Sequence, residues 1–311
     1  MNRRQMLSGL ALGSAALMSG GARSVTGRQA GPTFAITIDD FRIEDGPLMT
    51  GEAKHTVILD ALAASGVQAA GFVTGKYVDN NDGRARLQAW ADAGHAIGNH
   101  TYGHAYYGGA SPGDLGADID RNAGLIGTYA TVRPWFRFPY LSEGGTAESR
   151  DRMRSVLRER GLGNGHVTID ASDWYVAQRL TERLGRESRP ALAPYRDYLV
   201  GHLLDRAAFY DGLARDLLGY SPPHTLLLHH NLTTALFLPD VLAAFRDAGW
   251  RAIDADAAFA HPIFQAQPDV VPAANSLIWQ LARADGRFEG RLRSPGEDGP
   301  YEKPGMDALG L

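Results

Sequence analysis

A chain of 311 residues with 44% hydrophobic side chains can bury a large core, which excludes a wholly disordered polypeptide. It contains no cysteine, so disulfides contribute nothing and stability must come from packing and from any ion the fold binds. Residues 1–30 carry four basic and no acidic side chains, and the remainder carries 27 basic against 35 acidic, a net charge of −8 that argues against nucleic acid as a partner.

Arg3 and Arg4 directly precede an apolar, small-residue stretch from Leu7 to Met18, the pattern of a twin-arginine secretory signal. The stretch is too short for a comfortable membrane span. Residues 1–30 are therefore expected to be a signal peptide, cleaved after Ala22 or nearer Ala30, and the mature chain to be periplasmic with no stable span. Phe34-Ala35-Ile36-Thr37-Ile38 then reads as a buried strand, bounded by Gly31-Pro32 and closed by Asp39 and Asp40. A helix is predicted around Lys54 to Ala64, a strand at Val67 to Thr74, and a helix through Leu87, Trp90 and Ala91 that stops at Gly94.

Ala96 to Asn99 leads into His100 and His104, and Ser111-Pro112-Gly113-Asp114 opens another helix. Trp135 to Phe138 reads as a strand ending at Pro139-Tyr140, and Met153, Val156 and Leu157 mark a helix face before Gly161. His166 to Ile169 leads to Asp170-Ala171-Ser172-Asp173-Trp174. Residues 180–219 look helical, broken by Pro190 and Pro194; Thr225 to Leu228 ends at His229; Val241, Leu242 and Phe245 line a last helix before Trp250 to Ile253. Residues 285–311, rich in Gly, Pro and charge, are expected to be an irregular tail. Strands alternating with helices imply an α/β fold with a parallel sheet, whose functional groups gather at the strands' C-terminal ends. The clusters above all sit at such ends.

Two histidines four residues apart can converge on one ion, and a carboxylate completes a three-ligand open site. A zinc-protease motif would place glutamate after the first histidine, but that position is Thr101, so proteolysis is excluded on this pattern. Taken singly, each element has a plainer reading: Asp39-Asp40 as a turn, Arg137 as a surface ion pair, Trp174 and Leu227 as core. Tyr106 and Tyr107 read as packing or as a stacking surface for a sugar ring.

Five clusters in order resemble the motifs of the polysaccharide deacetylases of carbohydrate esterase family 4, which share the nodulation-type deacetylase homology domain. They are Thr37-Ile38-Asp39-Asp40, His100-Thr101-Tyr102-Gly103-His104, Arg137-Phe138-Pro139-Tyr140, Asp170-Ala171-Ser172-Asp173-Trp174 and Leu226-Leu227-Leu228-His229. The resemblance implies a distorted (β/α) barrel over residues 31–265, with a helical insertion at about 180–219 and a C-terminal extension at 266–311. It implies Asp40, His100 and His104 as ligands of a divalent metal, zinc first with cobalt or nickel fitting, and Asp39 as the base that takes a proton from water. Arg137 would orient Asp39, the N–H of Tyr140 would meet an oxyanion, and His229, held by Asp173, would protonate the leaving amine. Trp174 and Leu227 would form the slot for the acetyl methyl.

The implied activity is removal of N-acetyl groups from amino sugars of a glycan, peptidoglycan or a chitin-like oligosaccharide. Alternatives are an O-acetyl ester or non-sugar amide hydrolase, and a catalytically silent glycan-binding protein. Leu141 stands where the family commonly has glycine, and Ser142-Glu143-Gly144-Gly145 is an unusual loop, so a reshaped groove is expected there.

Overall fold

Strand β1 (Thr33–Asp40) forms because an unbroken apolar run can be buried on both faces only inside a parallel sheet, and Phe34, Ala35, Ile36 and Ile38 are all buried. The computed structural model describes residues 31–107, 112–187, 189–292 and 299–311, so the signal-peptide expectation lies outside the described residues, as does Ser111. β2 (Ala70–Val73), β3 (Ala96–Asn99), β4 (Val132–Phe136), β5 (Gly163–Asn164), β6 (His224–His229) and β7 (Arg251–Ala252) complete one sheet. Its order is β5-β4-β3-β2-β1-β6, β7 pairs with the start of β1, and the pairings are parallel. The α/β architecture with parallel strands is thus as expected.

The sheet curls until one stretch of chain joins its two edges. Gly165 N–H donates to Phe136 O at 2.6 Å beside β4, while Ile169 bridges Leu226 of β6. The strand expected at His166–Ile169 is realised only as that bridge, because the segment passes between edges instead of running along one. Inside the curl, glycine makes room for an aromatic ring: a Cβ at Gly98 would come within 2.7 Å of the Phe72 ring, and one at Gly165 within 2.4 Å.

The helical stretch differs from its expected form. Helices span Asp173–Leu184 and Ala193–Leu218, and Pro194 starts the second of these instead of breaking it, since an early helical position needs no N–H. The C-terminal tail also needs correction. Helix Gly299–Ala308 lies within residues 285–311, and Met306 and Leu311 enter the main core there, so apolar burial outweighs the Gly- and Pro-rich composition. Residues Gly31–Leu311 form one compact unit. No helix among the described residues is long and apolar enough to cross a membrane.

Candidate active site

Parallel pairing carries Asp39 of β1 level with Phe72 of β2 and His229 of β6, so groups distant in sequence meet at one end of the sheet. Asp40 (φ 75°) and Phe41 (φ 59°) are both left-handed and end the strand in a turn; the Asp39 and Asp40 carboxylates each stand 3.7 Å from His100 Nε2, and Asp40 alone also pairs with His104. Thr101 (φ 64°) and His104 (φ 52°) make a comparable turn, in which Asn99 Oδ1 accepts from Thr101 N–H and Thr101 Oγ1 accepts from His104 N–H, both at 2.9 Å. The histidines therefore converge through a loop, not along a helix.

His100 Nδ1 lies 2.8 Å from Arg137 O. A carbonyl only accepts, so the proton sits on Nδ1 and Nε2 turns a bare lone pair inward. Burial pushes His100 down to about 4 against the pull of Asp39 and Asp40, leaving a neutral imidazole. Asp40 Oδ1 stands 3.1 Å from His104 Nε2 and 3.7 Å from His100 Nε2, and it is buried without a hydrogen-bond partner. Burial alone would raise the Asp40 carboxyl, but His104, His229 and His100 together hold it well below the usual carboxylate range.

One ligand atom each from Asp40, His100 and His104 lies within 4.8 Å of the others. Tetrahedral ligands at ~2.0–2.1 Å from zinc stand about 3.3 Å apart, so this donor set, with its orphaned carboxylate oxygen, fits a divalent ion with a position left open.

Two further groups stand beside the cluster. Arg137, fully buried, donates from Nη1 to Asp39 Oδ1 at 2.5 Å and to Thr37 Oγ1 at 2.9 Å, and from Nε to Gly165 O at 2.7 Å. Its guanidinium lies 3.8 Å over the Phe72 ring. Burial lowers the Arg137 pKa, opposed by the Asp39 and Asp170 charges. His229 Nδ1 meets Asp173 Oδ1 at 2.7 Å, and Asp173 Oδ2 accepts from His229 N–H at 2.9 Å and from Asn231 Nδ2 at 2.8 Å. Burial works against the imidazolium, but Asp173 foremost, then Asp40 and Asp39, raise His229 to about 9.

The remaining expected residues occupy the rim or the core. Tyr140 is exposed in a one-turn helix at φ 57°, its ring 4.9 Å from that of His104. Leu141 and Ser142 spend their N–H groups on Phe138 O and Pro139 O, whereas Tyr140 N–H occupies an early helical position that leaves a donor over. Trp174 is partly exposed, 5.7 Å from Tyr175, and Leu227 is buried on β6 two residues before His229, so both share one face of the strand.

The tyrosine pair divides: Tyr106 is 62% exposed beside Tyr140, while Tyr107 is 4% exposed and donates to Asp118. His230 turns away from the cluster, stacks on Phe41 and hydrogen-bonds Arg42 O and His55. In the loop Ser142-Glu143-Gly144-Gly145 the first three residues are buried and Gly145 is exposed. Glu143 accepts from Arg154 Nε at 2.6 Å and donates its N–H to Ala273 O at 2.8 Å.

Three contributors escape sequence reasoning. Thr37 offers Arg137 an acceptor from within a strand whose threonine looked like ordinary β-branched filling. Asn231 carried the signal of a helix N-cap, which it also is. Arg42, 3.4 Å from Asp40 Oδ2 and over the Tyr77 ring, carried none.

Comparison with known proteins meets this geometry from outside. Residues 26–163 match the sequence model described as polysaccharide deacetylase. An uncharacterized protein of Bacillus subtilis, YlxY, is 29% identical over 118 residues, 38% of this chain and 34% of the relative, so the chain spans about a third of that protein's length. A CE4 family pseudoenzyme from Bacillus anthracis has a similar fold, with TM-score 0.51 and 18% identity over 73% of this chain and 65% of that one. Its mutant with restored enzymatic activity gives TM-score 0.52 and 20% identity over 73% and 67%. The matched segment contains the aspartate pair, both histidines and Arg137, and over it the chain is similar to the polysaccharide deacetylases.

Proposed function

We propose that the protein is a metal-dependent hydrolase that removes N-acetyl groups from amino sugars of an exported glycan, peptidoglycan or a chitin-like oligosaccharide. The observation that carries this reading is the placement of a carboxylate tied to arginine and an imidazole tied to carboxylate at the same strand ends as the Asp40, His100 and His104 cluster. Asp40, His100 and His104 would hold the ion, zinc by donor chemistry. When bound, such an ion polarises an acyl oxygen and acidifies water.

The chain's own groups divide the proton traffic. Asp39, fixed by Arg137 and Thr37, accepts a proton from the attacking water, and its backbone is locked into the sheet. The Tyr140 N–H faces developing negative charge on the acyl oxygen. His229, kept protonated by Asp173, gives its proton to the departing nitrogen. An amine leaves poorly unless protonated, so an acid of raised pKa favours amide over ester as the substrate bond. Exposed Tyr140, Tyr106 and Trp174 at the rim offer ring faces suited to pyranose sugars. Export through the twin-arginine route would bring the enzyme to cell-wall glycans.

Acetate release from N-acetylglucosamine oligomers, peptidoglycan strands and acetylxylan by the zinc-loaded mature chain tests the reading. Release from the first or second class is expected; release from acetylxylan alone assigns an O-acetyl esterase, and glycan binding without release assigns a silent binding protein.

A further inference from the structure

His229 is aligned by Asp173, and Asp173 is the first residue of the helix Asp173–Leu184, so whatever fixes the start of that helix fixes the acid. Ser172 occupies the N-cap position, yet its hydroxyl makes no capping hydrogen bond. Its backbone N–H instead donates to His202 Nε2 at 2.9 Å, a contact across from the helix Ala193–Leu218.

That contact dictates the state of His202. Accepting at Nε2 requires the lone pair there, so the proton sits on Nδ1, which lies 3.3 Å from Glu302 Oε2. Glu302, buried and carried by the C-terminal helix Gly299–Ala308, also accepts from Tyr198 at 3.1 Å and from Arg206 at 3.3 Å. Asp173 itself is completely buried, so it has no water to reorient it if its backbone shifts.

From this continuous chain, and resting on the deacetylase reading above, we infer that Glu302 and His202 are positioning residues for the general acid. Glu302 selects the His202 tautomer, His202 holds the Ser172 backbone, and that backbone aims Asp173 at His229. The C-terminal helix, which lies beyond the segment matched to the family, thereby belongs to the catalytic apparatus of this chain.

The test compares zinc-loaded wild type with Glu302→Ala and Glu302→Gln on two substrates: an N-acetylglucosamine oligomer, whose amine needs a proton to leave, and 4-nitrophenyl acetate, whose phenolate does not. A misaligned acid should cost about ten-fold or more in kcat on the amide for Glu302→Ala. KM and turnover of the aryl ester should stay within about two-fold, and Glu302→Gln, which keeps an acceptor for Nδ1–H, should recover most of the loss. Unchanged amide turnover in Glu302→Ala, or equal losses on both substrates, overturns the proposal. Nitrogen-15 spectra of the His202 ring in the wild type give a second reading independent of variant folding: protonation at Nδ1 supports the relay, and protonation at Nε2 overturns it. A wild type inert on both substrates removes the deacetylase reading itself, and the positioning role with it.

Discussion

Asp39 and Asp40 are neighbours with different partners: Asp39 accepts from Arg137, whereas Asp40 meets His104 at a turn of two consecutive left-handed residues, Asp40 and Phe41. Asp40, Phe41, Thr101, His104, Tyr140 and Leu141 all have positive φ without being glycine, and all lie in the loops that make the cluster; a single other such residue, Asn275, is found among the described residues. Backbone strain of this kind survives where surrounding contacts over-determine it, which is the behaviour of a site held ready for a ligand. His100→Ala is expected to lose both bound metal, measured by elemental analysis, and acetate release. Asp39→Asn should retain the metal while kcat drops about 10²–10⁴-fold.

The pH dependence follows from His229. Its raised pKa means the acid form persists as pH rises toward about 9, and a dication in the cluster would move that limit lower by repelling the imidazolium. The alkaline limb of kcat/KM on an amide substrate should therefore lie at or below about pH 9, and Asp173→Asn should shift it further toward acid, because Asp173 is the leading favourable charge. A limb unmoved by Asp173→Asn would show that another group supplies the proton.

At the scale of elements, the strand ends were legible because a parallel sheet needs continuous apolar runs and terminates them with polar residues. Thr33–Asp40, Ala96–Asn99 and His224–His229 were all visible this way. The crossing segment at 163–169 was not, since its residues pair with opposite edges of the sheet and no local pattern records that. The space inside the curl was equally hidden. Gly98 and Gly165 read as ordinary glycines until Phe72 is seen lying against both, with Arg137 on its ring. Gly165→Ala is expected to destabilise the fold by about 1–3 kcal/mol in denaturant unfolding, through overpacking. It should also lower activity by displacing Arg137 from Asp39, because Arg137 Nε is bound to the Gly165 carbonyl.

At the scale of the molecule, the C-terminal region is integral to the core and linked to it by charge. Burial alone would raise the Glu302 carboxyl, but His202, Arg206 and Tyr198 outweigh it and hold the group at about 2. A depressed folded value means the stabilisation is complete above the ordinary glutamate value, about 4.5, and is lost as pH falls through about 2. The melting temperature of wild type should fall over that window more steeply than that of Glu302→Gln; parallel curves would remove Glu302 from the linkage.

The amino-acid sequence alone determined the alternation of strands and helices and the residue types at each strand end, because hydrophobic periodicity and ligand spacing are local properties. Only the tertiary structure decided which aspartate pairs with His104, how residues 163–169 join the sheet's edges, that Tyr106 points outward while Tyr107 is buried, and that Glu302 reaches, through His202, the start of the helix beginning at Asp173. Each of these depends on contacts between segments far apart in the chain, and such contacts leave no periodicity in the sequence to read.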